Sequence, residues 1–281
     1  MRFGLGVGLL FVAFCGISPI TQSAVCSVNS SGEITDTSGC YVEALSYEVR
    51  VFDVLWCTNE PSPSNFDSCV SWDLVPFDFE ITETSVVPVA PRVTIPEGTY
   101  RWVSAIISPT SKVKAVATFD RVMQGKTNSG KVCWTNGTIL VKSERSSVET
   151  DASKRSVECG SSAPTTFPPN TIVTDSANWI GGGFGNSASG VLPTGNVYRS
   201  YLMTDDYDQS SSANETSLFA FNMQLPNPVV VSNRDDVVQV FDLTYNREMG
   251  ADIAFSGTNL SIIDGVLYYK VTFSEEVISN Q

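Results

Sequence analysis

The stretch Ile95 to Pro109, IPEGTYRWVSAIISP, constrains this chain more than any other. Pro96, Glu97 and Gly98 spell a turn, and a run rich in aromatic and β-branched side chains follows until Pro109, which is expected to stop it. On a pleated ribbon Tyr100, Trp102, Ser104 and Ile106 share one face, while Arg101, Val103, Ala105 and Ile107 share the other. Both faces are largely apolar, so the segment reads as a strand in the middle of a sheet.

The remaining legible segments are also strands. Leu45, Tyr47, Val49 and Val51 alternate with Ser46, Glu48 and Arg50, after which Phe52, Val54 and Trp56 are apolar on the opposite face. That break predicts a bulge, or a passage between two packed surfaces. Strand patterns recur at Phe77 to Ile81, Ser85 to Val89, Lys112 to Phe119 and Val237 to Leu243, and Phe219, Phe221 and Met223 repeat at period two. Asn136-Gly137 between Lys131–Thr135 and Thr138–Lys142 predicts a hairpin with a type I′ turn. Asp264-Gly265 between Leu260–Ile263 and Val266–Phe273 predicts a second, adding Tyr268, Tyr269 and Phe273 to the core. No segment sustains a helical period. The expected fold is all-β, an antiparallel β-sandwich with a long polar insertion loop.

The N-terminus sets the compartment. Met1-Arg2 precedes an uncharged run from Phe3 to Ile17, then Ser18, Pro19 and small or polar residues up to Ala24, the pattern of a secretory signal peptide over 1–24. The apolar run is shorter than the ~20 residues that a membrane span needs, so no transmembrane anchor is expected after cleavage. Cleavage removes Cys15 and leaves Cys26, Cys40, Cys57, Cys69, Cys133 and Cys159. An even number in an exported chain points to disulfides. Six cysteines allow about fifteen connectivities; the sequential pairs Cys26 with Cys40, Cys57 with Cys69 and Cys133 with Cys159 close the shortest loops. Each such loop is worth about 3 kcal/mol on chain-entropy grounds. Zinc is disfavoured, because no C-x-x-C knuckle and no histidine is present.

The net charge of −13 disfavours nucleic acid and anionic membrane surfaces as partners and suits a soluble secreted protein. The absence of histidine excludes Ser-His-Asp and Cys-His machinery and the usual zinc hydrolase sites from this chain alone.

Ser143 to Ser176 is dominated by Ser, Thr, Pro and charged residues, with Phe167 its one aromatic side chain. Such composition buries too little apolar surface to offset its ordering entropy. Residues 143–217 therefore read as an insertion tethered through Cys159, between a first part of the sandwich (25–142) and C-terminal strands that complete it (218–281). Within the insertion, Trp179 beside the glycine run Gly181 to Gly185 suggests either a flexible connector or a ligand loop. A phosphate loop is disfavoured, since no lysine follows the glycines.

Three stretches carry a resemblance: YEVRVFDVLWCT with a second cysteine soon after, IPEGTYRWV, and LPNPVVVSNRDDVVQVFDL, in that order. Together they resemble a group of secreted marine-bacterial proteins that is similar to a domain of unknown function with a prealbumin-like β-sandwich. The resemblance covers about half of the mature chain, and the long insertion departs from it. It implies export and a β-sandwich, and brings no assigned chemistry or active-site residues.

Without histidine, paired carboxylates are the remaining catalytic option, as in glycoside hydrolysis. Asp78 with Glu80, Asp205 with Asp206 and Asp208, and Asp235 with Asp236 are the pairs available. Asp78 and Glu80 alternate with Phe77 and Phe79, which places them on the solvent face of a strand. Asp206, Asp208 and Ser210 echo the first half of a calcium loop, but Ser211 and Ser217 stand where the loop needs glycine and glutamate. This excludes an EF-hand and leaves a looser calcium site on Asp205, Asp206 and Asp208; no other cofactor is expected. Sequons begin at Asn29, Asn136, Asn214 and Asn259 and matter only in a eukaryotic secretory route.

The sequence thus points to a noncatalytic exported protein with an adhesive, binding or surface-structural role toward a protein or glycan. A carbohydrate- or lipid-binding module and a histidine-free glycoside hydrolase are the alternatives. The expected recognition surface is the region from Asn178 to Asp208, with Trp179, Tyr201 and Tyr207 as ligand-binding aromatics.

Overall fold

The strand around Tyr100 and Trp102 does not stop at Pro109 but runs from Gly98 to Gln124. The computed structural model describes residues 10–14, 25–37, 39–71, 76–81, 96–141, 151–175, 185–191, 197–231, 237–246, 251–265 and 267–277. In chain order its strands are β1 (Leu10–Phe14), β2 (Cys40–Val42), β3 (Ala44–Cys57), β4 (Cys69–Ser71), β5 (Phe77–Ile81), β6 (Gly98–Gln124), β7 (Ser129–Thr135), β8 (Ile139–Val141) and β9 (Val157–Gly160). They continue with β10 (Asn170–Val173), β11 (Ser187–Val191), β12 (Val197–Met203), β13 (Leu218–Val231), β14 (Val237–Asn246), β15 (Ala251–Ser256), β16 (Asn259–Gly265) and β17 (Leu267–Val277). The fold is all-β, and one large, mostly antiparallel sheet of 14 strands dominates it.

β6 is the spine of that sheet. Val103 pairs with Trp56 of β3 and with Met223 of β13, and Val113 pairs with Tyr47 of β3 and with Asn170 of β10. β3 therefore runs along one edge of β6, while β13 and then β10 share the other. Pro109 sits where β13 ends at Ile107 and β10 begins at Thr110. A proline without an N–H is tolerated where the ladder changes partner, which is why it interrupts nothing. Its carbonyl still accepts from the Thr174 N–H at 2.7 Å. β3 shifts register between Val49 and Val51 and again before Asp53, the bulge that its broken alternation predicts.

The described strands of the polar stretch 143–217 lie within the sheet, not outside it. β9 pairs with β7, β10 with β6 and β8, and β12 lies between β11 and β13. Val157, Cys159, Ile172, Tyr198 and Leu202 are buried in the main core. A four-residue strand needs only two inward side chains, and composition averaged over a long window hides them. Asn170, fully buried, bonds the Ser156 carbonyl at 2.9 Å and receives the N–H groups of Asn136 and Gly137, so the polar character is satisfied inside.

Neither expected hairpin forms. β7 pairs with β6 and β9, whereas β8 pairs with β10. Gly137 has a positive φ of 82° but Asn136 does not, so the type I′ requirement is unmet. Asn136 instead spends its side chain on Thr138 and on the Arg155 carbonyl, and Cys159 occupies the place opposite Cys133. Asp264-Gly265 likewise ends β16 without closing a hairpin: β16 pairs with β15, through a turn at Gly257 and Thr258, and β17 pairs with β14 and β1. Gly257, with φ of 62°, supplies the left-handed residue at the first central position of that turn. Tyr268, Tyr269 and Phe273 thus belong to a separate three-stranded sheet, β1-β17-β14. Its β1 falls within the expected leader.

The three sequential disulfides are present: Cys26–Cys40, Cys57–Cys69 and Cys133–Cys159. Cys57 and Cys69 are direct partners across β3 and β4, and Cys133 and Cys159 across β7 and β9. Among the described residues no helix is long and apolar enough to cross a membrane.

Candidate functional site

β6 is apolar on both faces, and the two faces are closed differently. Val103, Ala105 and Ile107 enter the large core, whereas Trp102 and Ile106 meet Leu55, Cys57, Met203, Leu218 and Ala220 in a smaller cluster on the opposite face. The smaller cluster is roofed by two connections, the loop between Cys57 and Cys69 and the turn after β12 at Thr204 to Asp208.

The first connection is fixed at three levels. The Cys57–Cys69 disulfide closes its base. Beneath it, the Ser104 hydroxyl donates to Asn222 Oδ1 at 2.5 Å, and Asn222 Nδ2 donates to the Pro61 carbonyl at 3.0 Å. At its tip Ser62 and Asn65 exchange backbone hydrogen bonds around Pro63 and Ser64. Proline followed by a residue of positive φ is the type II pattern, and Ser64, at φ 60°, stands where glycine is ordinary.

In the second connection, the Tyr207 N–H donates to the Thr204 carbonyl at 3.1 Å and the Thr204 N–H to the Asp208 carbonyl at 2.9 Å. Tyr207 takes φ of 65°. Ser64 and Tyr207 are the two non-glycine residues with left-handed backbone among the described residues. They are bonded to each other, since the Ser64 N–H donates to the Tyr207 carbonyl at 2.9 Å. The Ser64 hydroxyl also donates to Asp208 Oδ1. The rings of Phe66 and Tyr207 meet edge to face, with centroids 5.7 Å apart.

Between the two connections lies an open groove of about 400 Å³, lined by Asp53, Ser64, Phe66, Ser71, Asp206 and Tyr207, with Leu55 and Cys69 at its base. Asp53 is held in place by its own strand and by β4: Oδ1 accepts from the Val54 N–H at 2.7 Å and Oδ2 from the Ser71 hydroxyl at 2.5 Å. Burial, and then the charge of Asp53, hold the Tyr207 phenol above the ordinary tyrosine value, so at neutral pH it is a hydrogen-bond donor. Tyr201 is raised by burial and by Glu60, with Arg199 opposing. The Arg199–Glu60 pair, at 3.2 Å, is solvent-exposed and adds little stability.

Of the side chains expected in a site, Tyr207 and Asp206 line the groove, and Asp208 braces it through Ser64. Tyr201 packs half-buried against the small cluster rather than into the groove. Asp205 is exposed at the turn. Trp179, most of the glycine run, and Asp235 with Asp236 lie outside the described residues. Asp205, Asp206 and Asp208 do not converge at metal-ligand spacing. Asp208 is turned to Ser64 instead, so the expected calcium cluster is not formed. The one group at such spacing among the described residues, Cys26, Asp36 and Cys40, has both thiols spent in a disulfide. Asp78 bonds Arg50 at 3.2 Å on the exposed face of β5, and Glu80 is exposed there too, as alternation predicts for a solvent face. Three sequon asparagines, Asn29, Asn136 and Asn259, have their side chains engaged in hydrogen bonds, while Asn214 is exposed.

Sequence reasoning missed Asp53, Ser64, Phe66 and Ser71. The available signal was a turn-rich segment, TNEPSPSNFDS, confined by two cysteines. No family model, curated protein or solved structure matches this chain.

Proposed function

We propose that this chain is a noncatalytic exported binding protein whose recognition site is the groove between the Cys57–Cys69 loop and the Thr204–Asp208 turn. The observation that carries the reading is the bonded pair Ser64 and Tyr207 at the groove's rim. Left-handed backbone at a residue other than glycine costs about 1–2 kcal/mol and persists only where the surroundings over-determine it. Here a disulfide, a buried Ser104–Asn222–Pro61 relay and a second loop all hold it. Loops fixed this firmly on a rigid sheet, with aromatic, hydroxyl and carboxylate groups converging between them, make a preorganised recognition surface. The leader and the fully paired mature cysteines support export.

Catalysis that relies on an imidazole is closed to the groove, because the chain has no histidine. Hydrolysis of a glycoside by its carboxylates is the competing reading. The test is an adhesion assay and glycan array on the disulfide-intact mature protein, with Asp206→Ala as the variant. Asp206 is exposed, so the reading requires lost signal at unchanged melting temperature. Retained signal on every ligand, or hydrolysis of a polysaccharide that depends on Asp53 or Asp206, refutes it.

A further inference from the structure

We propose that removal of the leader opens one edge of β17 as a homodimer interface, on which a second copy of this chain adds its own β17 antiparallel across a two-fold axis. This rests on reading residues 1–24 as a leader and does not depend on the groove. β14 pairs with β17 from Tyr268 to Val277 on one side. On the other side β1 pairs with it only from Leu267 to Val271, and beyond that point no strand lies against this edge among the described residues. β1, Leu10–Phe14, falls within the expected leader, so cleavage near Ala24 lifts it away and leaves the edge open over the whole of Leu267–Val277. A row of unpaired N–H and C=O groups along a strand is a template for another strand. β1, seated on this edge, is the observation that the edge accepts one.

The order of residues along β17 selects the occupant. Two copies related by a two-fold pair antiparallel, with one residue opposite itself. With Phe273 at that centre, Lys270 stands opposite the partner's Glu276 on both sides of the axis, Tyr269 opposite the partner's Val277, and Thr272 opposite the partner's Ser274. Val271 stands opposite the partner's Glu275, and no position meets a like charge. Opposite-charge, aromatic–aromatic and aromatic–β-branched pairs are those that stabilise an antiparallel ladder. Other centres do not give this. Lys270, Glu275 or Glu276 on the axis would meet its own charge, and the remaining centres leave Lys270 with no acid opposite. A lysine on an edge strand ordinarily guards it against pairing, and the two-fold centred on Phe273 is what answers it with a carboxylate. The outer edge of β14 is the poorer site, because Asp242 is its one charged residue and two copies meeting there gain no ion pair.

The experiment is sedimentation velocity of the mature, disulfide-intact chain over a concentration series, with amide hydrogen exchange read at both ends of the series. The expected result is a monomer–dimer equilibrium, with exchange over Leu267–Val277 slowing as the dimer fills. The uncleaved chain, with the same three disulfides formed, should stay monomeric because β1 holds the edge. Lys270→Glu and Glu276→Lys each set like charges opposite one another and should weaken the dimer about tenfold, whereas the two together restore the opposite-charge pair and the dimer. Melting temperatures separate a lost interface from a lost fold, and if a single variant unfolds, the exchange pattern of the parent still decides. A mature chain that is monomeric at every concentration overturns the proposal, and so does a dimer whose protection lies outside β17. Species larger than a dimer overturn it in favour of β14 on the partner's β17, a head-to-tail contact that does not close. An uncleaved chain that dimerises as well as the mature one also overturns it, since β1 would then not cover the interface. Intact mass of the exported chain judges the leader reading separately, and the adhesion and array measurement judges the groove.

Discussion

Ser64 and Tyr207, distant in sequence and each forced into a left-handed backbone, are joined by a hydrogen bond of 2.9 Å from the Ser64 N–H to the Tyr207 carbonyl. Neither strained residue is set by its local sequence alone. Each turn is held in its conformation by the other, and the Ser64 hydroxyl on Asp208 adds a second tie.

Strain at Ser64 is separable from its hydroxyl contact. Ser64→Ala removes the bond to Asp208 and keeps a Cβ at φ 60°, whereas Ser64→Gly removes both. Glycine pays little for positive φ, so the glycine variant should be more stable than the alanine variant by about 1 kcal/mol. Urea unfolding of the two variants measures this, and equal midpoints would mean that the backbone at Ser64 is not strained.

The Ser104–Asn222–Pro61 relay supports the groove from below, and all three residues are buried. Asn222→Ala leaves a buried hydroxyl and a buried carbonyl without their partner and should cost about 2–3 kcal/mol. Ser104→Ala strands one lone pair and should cost about 1 kcal/mol. Because the two residues share a bond, the double variant should cost less than the sum of the single ones. Strict additivity in a double-mutant cycle would show that the contact carries no energy.

The cysteines set a chemical expectation. The mature chain should begin near Val25 and show no reactive thiol when denatured without reductant, by intact mass and thiol titration. Replacing Cys57 and Cys69 together by alanine opens the base of the loop that carries Ser64 and Phe66 while leaving the other two bridges closed. Stability should fall by about 3 kcal/mol, and binding at the groove should be lost. Two free thiols in the native protein would contradict the pairing.

What the sequence discloses and what it hides divide along locality. The start of β6 is legible because Pro96 and Gly98 mark a turn and period two follows, and the three disulfides are legible because short loops are the easiest to close. The end of β6 is not, because Pro109 breaks a strand only where its missing N–H has a partner to lose. Asn136-Gly137 and Asp264-Gly265 do mark strand ends, but the strand that pairs next is chosen from afar, by Cys159 and Asn170 in one case and by β14 in the other. The groove shows the same division: Tyr207 and Asp206 stand out by residue type, while Ser64 meets Asp208 across 144 positions of sequence. No local pattern encodes that meeting.

Alkaline pH tests how tightly the roof of the groove is packed. Burial is the first cause of the raised phenol in Tyr207, and the charge of Asp53 the second. Tyr201 and Tyr100 are raised by burial as well. A group whose folded-state value lies above its unfolded value contributes stability that is fully present below the unfolded value and is lost as pH rises through the folded one. The unfolded phenol titrates at its ordinary value of 10.0, so below that pH both states are protonated and nothing changes. Above it the unfolded chain releases protons that the folded chain still holds, which favours unfolding. The denaturant midpoint should therefore be flat up to about pH 9 and fall above 10. Tyr207→Phe keeps the ring contact with Phe66 and removes one ionisable group, so it should make the fall shallower without abolishing it, since Tyr201 and Tyr100 remain. A variant whose midpoint declines with pH as steeply as the parent's would show that the Tyr207 hydroxyl is open to solvent, and the roof of the groove would then be looser than the contacts of Ser64, Phe66 and Asp208 require.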